Sequence, residues 1–268
     1  MRRVLLLALV AIPVLGLSGP ATAQEAEEYG PPEMFWVYQE YVKPAMLQEY
    51  EAATKDLIDL LASSQEATSS IEFITISGSE FSYSYVIPVE GFGGIDEAWK
   101  SWQAAMEAAG RDKFSEIEAR TAKAIDHAES SVLMLRADLS YMVEATALTA
   151  DKPFRMYHYW YAIPGKESEL EGVAKEFAAL YKAKGIDHGW RIYQAVMGPD
   201  LPMYLVVETA ADEADYHATV KKVEEMAGEE GMKLNQKALK FARNIVIQHG
   251  WIRPDLSFPQ TLSTSSRE

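Results

Sequence analysis

The feature that most constrains this chain is that it matches itself. Shifted by 120 residues, Trp36 to Pro88 align with Met156 to Glu208 without a gap, pairing Tyr41 with Tyr161, Pro44 with Pro164, Glu49 with Glu169, Glu51 with Glu171, Lys55 with Lys175, Leu60 with Leu180, Gly78 with Gly198 and Val86 with Val206. Eight identities in 53 pairs are few, but the apolar phase persists where identity is lost. Tyr50, Ala53, Leu57, Leu60 and Leu61 recur at helical spacing and fall on Leu170, Val173, Phe177, Leu180 and Tyr181. Each copy also closes alike: Arg136-Ala137-Asp138-Leu139-Ser140-Tyr141 matches Arg253-Pro254-Asp255-Leu256-Ser257-Phe258 at a shift of 117. Two diverged copies of one folding unit therefore stand in tandem.

Within a copy the pattern is strand, helix, hairpin, helix, strand. Phe35 to Val42 is an aromatic-rich strand, and Pro44 suits the first turn of a helix running to about Ser63, because its fixed φ is helical and its missing N–H is unneeded there. Ile71 to Ser77 and Phe81 to Ile87, divided by a turn at Gly78 to Glu80, alternate as a hairpin. Asp96 is expected to cap the next helix, whose inner face carries Trp99, Trp102 and Met106. Gly110 breaks it, a further helical stretch is expected from Asp112 to His127, and Ser131 to Arg136 is the closing strand. The second copy repeats this from Arg155 to Arg253.

The ends set the domain limits. Arg2 and Arg3, the apolar run Val4 to Leu17 and the small residues Ala21-Thr22-Ala23 make residues 1–23 a signal peptide, so the protein is expected to be exported, to the periplasm or beyond. No later run approaches the roughly 18 apolar residues of a membrane helix. Residues 24–33, 144–153 and 259–268 lack periodicity and are expected to be a disordered lead-in, a linker and a disordered tail around units at 34–143 and 154–258. Without cysteine, nothing but the core holds the units together. The formal charge is −15, and loss of the two leader arginines takes it to −17. Such a field disfavours nucleic acid and anionic lipid as partners.

The junctions Tyr41-Val42-Lys43-Pro44 and Tyr161-Ala162-Ile163-Pro164-Gly165-Lys166, each leading into an amphipathic helix, together with the order of elements, resemble the dimeric α+β barrel superfamily. Its ferredoxin-like units include the antibiotic-biosynthesis monooxygenases, the NIPSNAP-like proteins and stress-responsive barrel proteins. The resemblance implies an α+β fold in which two tandem βαββαβ units pack sheet against sheet as a barrel within one chain, a monomeric pseudo-dimer or a homodimer of it. A second copy buries the apolar sheet face that one unit would leave wet. Members include enzymes and binding proteins, so the fold transfers no catalytic residue.

Direct signs of chemistry are sparse. His127, His158, His188, His217 and His249 show no metal-ligand spacing, and no metal is expected. There is no Gly-x-Ser-x-Gly elbow, and Gly91-Phe92-Gly93-Gly94 sits among Glu90, Asp96 and Glu97, which suits a flexible loop better than a phosphate cradle. The first strands are the informative segments. Tyr38 and Glu40 in one copy and His158 and Trp160 in the other occupy one face of their strands. If that face turns inward, these four side chains line one cavity for a small apolar or aromatic molecule, with His158 or Glu40 as proton acceptor. The competing explanation is plain packing, with Glu40 reaching solvent at a strand end and His158 a hydrogen-bonded wall residue. The expected function is non-catalytic binding in the barrel interior without a cofactor. The alternatives are a cofactor-independent or haem-dependent monooxygenase-like enzyme using His158, and a structural or interaction module.

Overall fold

The structure, a computed structural model, describes residues 34–64, 68, 70–143 and 151–259; the expected leader, the 24–33 segment, most of the linker and the tail beyond 259 lie outside the described residues. The first half contains β1 (Met34–Val42), α1 (Leu47–Ser63), β2 (Ile74–Gly78), β3 (Ser82–Val89), α2 (Gly93–Ala109), α3 (Arg111–Ala124) and β4 (Ile125–Leu135). The second contains β5 (Phe154–Ala162), α4 (Glu167–Lys184), β6 (Arg191–Met197), β7 (Met203–Ala210), α5 (Glu213–Leu239) and β8 (Ala242–Ile252). All eight strands close into one antiparallel barrel in the order β1-β3-β2-β8-β5-β7-β6-β4. Each half keeps its first strand between its third and fourth, and the outer strands β2 and β4 pair with β8 and β6 of the other half. Closure leaves no sheet edge unpaired.

Three local expectations change. Ile125 to His127 belong to β4 rather than to the preceding helix. The helix expected to start at Asp96 begins at Gly93, so the glycine loop is partly helical and Asp96 lies in its first turn, where a carboxylate complements the helix dipole. The ungapped alignment also fails at the hairpin. Val37 pairs with Val86, whereas Tyr157 pairs with Val207; Ile74 pairs with Val86, whereas Arg191 pairs with Val207. Equivalent residues are thus 117 apart on β2 and β6 but 121 apart on β3 and β7, so the second hairpin is four residues longer. The identities of Gly78 with Gly198 and Val86 with Val206 are coincidental, while Tyr83 and Tyr204 are true equivalents.

The pleat decides which residues reach the barrel centre. Phe35, Val37, Leu133, Tyr157, Tyr159, Tyr193 and Leu205 pack together there. Tyr38, Glu40, His158 and Trp160 have the opposite parity and face outward, into the layers between sheet and helices. Their convergence in one central cavity is therefore not what the structure contains. Period-two alternation could not decide the phase, because both faces of β1 and β5 are aromatic.

The matching hexapeptides explain themselves in space, for each clasps the opposite half. Arg136, closing the first half, donates from Nη1 to Glu171 Oε1 on α4 at 2.6 Å. Arg253, closing the second, donates to Glu51 Oε1 on α1 at 2.5 Å. Asp138 and Asp255 orient the two guanidinium groups, each 2.9 Å from its Nε. The hydroxyls of Tyr204 and Tyr83 reach the same two glutamates at 2.6 Å. Ser140 Oγ accepts from the Ile192 amide and Ser257 Oγ from that of Thr75, both at 2.9 Å. Glu51, Glu171 and both hexapeptides are alike because each makes the same crossed contact.

Candidate site between the second helix layer and the sheet

The halves differ most in the layer between their first helix and the sheet. In the first half Tyr50 fills it: its hydroxyl donates to Glu40 Oε2 at 2.5 Å and lies 2.7 Å from the Tyr85 hydroxyl, and its ring packs on Tyr83 with centroids 4.7 Å apart. Burial pushes the Glu40 carboxyl above its ordinary range, only partly offset by the Tyr50 hydrogen bond. In the second half Leu170 takes the place of Tyr50, Val206 that of Tyr85 and Trp160 that of Glu40. Two rings and a carboxyl are lost and one indole is gained.

What remains is a cavity of about 170 Å³ walled by Trp160, Trp190, Tyr204, Phe177, Leu170 and Val206, with Leu139 supplied by the first clasping hexapeptide. Glu171 is the one charged residue in its wall. Its hydrogen bond from Arg136 holds its carboxyl below the usual range despite partial burial, with Tyr204 adding to the effect. A dry cavity of ~150 Å³ lined by apolar side chains can hold a benzene ring. This one has room for a single aromatic ring or a molecule of similar size.

A polar cluster stands beside it. Trp160, Trp190 and Val206 of the wall have as their second neighbours His158, His188 and Glu208. His188 Nε2 lies 2.7 Å from Glu208 Oε1, and His158 Nε2 lies 3.0 Å from Oε2. The Tyr216 hydroxyl, brought in by α5, donates to Oε2 at 2.9 Å. Burial alone would raise the Glu208 carboxyl, but the hydrogen bonds from both imidazoles outweigh it and lower the pKa to about 2. Glu208 is therefore a buried carboxylate at neutral pH. A carboxylate only accepts, so each imidazole turns an Nε2–H toward it. Among the described residues no three His, Asp or Glu side chains stand where they could share a metal ion. The arrangement is suited to orienting a base.

Of the four residues singled out in the sequence, His158 and Trp160 thus come together at this site. Tyr38 and Glu40 lie in the corresponding layer of the first half, Glu40 within the tyrosine network. Sequence reasoning missed Glu208, His188, Tyr216, Leu170 and Val206. With the hairpin offset corrected, the signal for two of them was there, since Ile87 becomes Glu208 and Tyr85 becomes Val206.

An anthrone oxidase-like protein of known structure superposes with a TM-score of 0.53 at 8% identity, over 82% of this chain and 91% of its own. The chain has the dimeric α+β barrel fold. Other solved structures similar to this barrel include a doubly substituted chlorite dismutase from Candidatus Nitrospira defluvii (TM-score 0.48, 9% identity, 83% of this chain and 92% of that one). A haem-binding protein from Thermus thermophilus is similar at a TM-score of 0.41 and 13% identity, over 83% of this chain and 92% of that one. No protein-family model matches the sequence, and no curated protein matches it. Among the described residues of this α+β barrel no helix is long and apolar enough to cross a membrane.

Proposed function

We propose that this protein is a cofactor-independent, monooxygenase-like enzyme that holds a single-ring aromatic or comparably small apolar molecule between α4 and the sheet of the second half and removes a proton from it. The observation that carries this is adjacency: Trp160 and Val206 of the cavity wall stand two residues along β5 and β7 from His158 and Glu208, and Trp190, just ahead of β6, stands two residues from His188, which Glu208 also holds. Glu208 fixes the imidazoles and stabilises the positive charge either acquires on taking a proton, as the carboxylate partner of a general base does. The mostly apolar walls leave the substrate anion weakly solvated, which favours its oxidation by dioxygen. Conversion of a CH₂ to a carbonyl then keeps one oxygen atom and releases the other as water with both hydrogens, so no outside reductant is needed.

Haem does not suit these residues. A cavity of about 170 Å³ is of single-ring size, and its charged wall residue is an acid that would oppose the propionates. The equivalent halves, with six of the eight identities at matching positions and crossed clasps, support descent by tandem duplication. Export by a cleaved leader, to the periplasm or beyond, is supported by residues 1–23.

Two readouts separate catalysis from binding alone. Quenching of Trp160 and Trp190 fluorescence by phenols of increasing size reports occupancy, and dioxygen uptake reports turnover. His188→Gln is expected to keep ligand quenching within a few-fold and to lower uptake by at least a hundredfold. Uptake unchanged in His188→Gln would end the proton-abstraction role, and absence of quenching by any phenol would end the site itself.

A further inference from the structure

We infer that the interior of the barrel, on the other face of β5, β7 and β6 from the aromatic cavity, is a binding site for a small oxyanion of the carboxylate or phosphate class. Arg155, only 3% exposed, and Thr209 are cross-strand partners. Tyr157 and Arg191 flank Val207 from either side. These side chains share the inward parity and form one patch across three adjacent strands.

Among the described residues, three buried side-chain polar atoms have no hydrogen-bond partner: Tyr157 Oη, Arg191 Nε and Thr209 Oγ1. All three belong to this patch. Buried polar atoms in folded proteins are almost always paired, so three orphans in one place mark a partner that is not protein. Their chemistry is alike, for a guanidinium can only donate and the two hydroxyls are able to. Arg155 gives Nη1 to the carbonyls of Lys152 and Phe154. Burial and the neighbouring Arg191 both weaken the protonated form of Arg155, opposed by Tyr157 and Tyr193. Two buried guanidinium groups side by side are costly unless an anion sits between them. The backbone also makes way: Gly250, opposite Arg155, would place a Cβ 2.8 Å from both Ile76 Cγ2 and Ser77 O and 3.4 Å from Tyr157 Cε2. Any larger residue there would collide with Ile76 and the Ser77 carbonyl.

The requirement is a compact acceptor-only group that takes several donors at once, which describes a carboxylate or a phosphate. The test is thermal unfolding of the full chain titrated with inorganic phosphate and separately with acetate, at ionic strength held constant with sodium chloride. A saturable rise in Tm with either salt is expected. Saturation with acetate alone assigns a carboxylate, and with phosphate alone a phosphate group. Arg191→Met is expected to abolish the rise. Tyr157→Phe with Thr209→Val, which removes two hydroxyls and little volume, is expected to weaken the apparent affinity at least fivefold, and serves if Arg191→Met fails to fold. No saturable rise with either salt, or an affinity unchanged in the hydroxyl-free variant, would overturn the inference. Because the patch and the cavity lie on opposite faces of the sheet, either can fail without the other.

Discussion

Val206→Phe places an aromatic ring where the first half carries Tyr85, and the structure sets the size of its effect. Because it is partly open, a cavity of about 170 Å³ corresponds to at most roughly 4 kcal/mol of forgone packing at ~24 cal/mol per Å³. A phenyl group in place of the isopropyl group of Val206 fills part of it from a rigid strand position. Recovery of about a third amounts to roughly 1.3 kcal/mol, after allowance for imperfect fit. At about 2–4 °C per kcal/mol for a chain of this size, Tm should rise by about 3–5 °C. Urea unfolding should show a higher midpoint with an unchanged slope. In the same variant, quenching of Trp160 and Trp190 by phenol should vanish, because the new ring occupies the ligand's place. Stability gained by losing the site is the usual sign of a cavity kept for function. A variant that is less stable and still binds phenol would refute the reasoning.

Arg136→Met should cost about 2 kcal/mol in urea unfolding, between the values for exposed and buried ion pairs, because the pair it makes with Glu171 is mostly but not wholly shielded. A cycle with Glu171→Gln should show that most of this is coupling between the two. Glu208 has a folded pKa of about 2 against an ordinary 4.5, so its contribution, roughly 3 kcal/mol, is present above pH 4.5 and lost as the pH falls through 2. Glu208→Gln should remove that part of the acid-unfolding slope. Glu40 is shifted the other way, so its contribution is present below its unfolded pKa and lost as the pH rises through the folded one. Glu40→Gln should therefore be at least as stable as the parent at pH 7, with less loss of stability on going up from pH 4.

Much of the fold was legible because period and punctuation agreed: the helices α1 and α4, the break at Gly110 and the repeated hexapeptides stand close to where the pattern put them, although Pro44 opens a short 3-10 turn ahead of α1 and Pro164 a turn ahead of α4. α5 is the exception that proves informative, since Gly228, at φ +60° and ψ −146°, bends a continuous helix near where Gly110 divides α2 from α3. The site was half legible. The unequal first strands pointed to His158 and Trp160, but the face they occupy could not be read where Tyr157, Tyr159 and Tyr161 alternate with them. Glu208 and His188 were hidden by the longer second hairpin, which shifts the alignment by one residue on β7 and by three on β6. The crossed clasps needed the barrel itself, for Arg136 and Glu171 belong to different units of the sequence.

The central claim is that the protein works in the outer layer of its second half rather than in the barrel centre. A crystal structure grown with 4-bromophenol tests it most directly, because the anomalous signal of bromine locates the ring without reference to the rest of the map. The expected peak lies between α4 and the sheet, in contact with Trp160 and Trp190. A peak among Tyr157, Tyr159 and Tyr193 inside the barrel, or none at a saturating concentration, would contradict it.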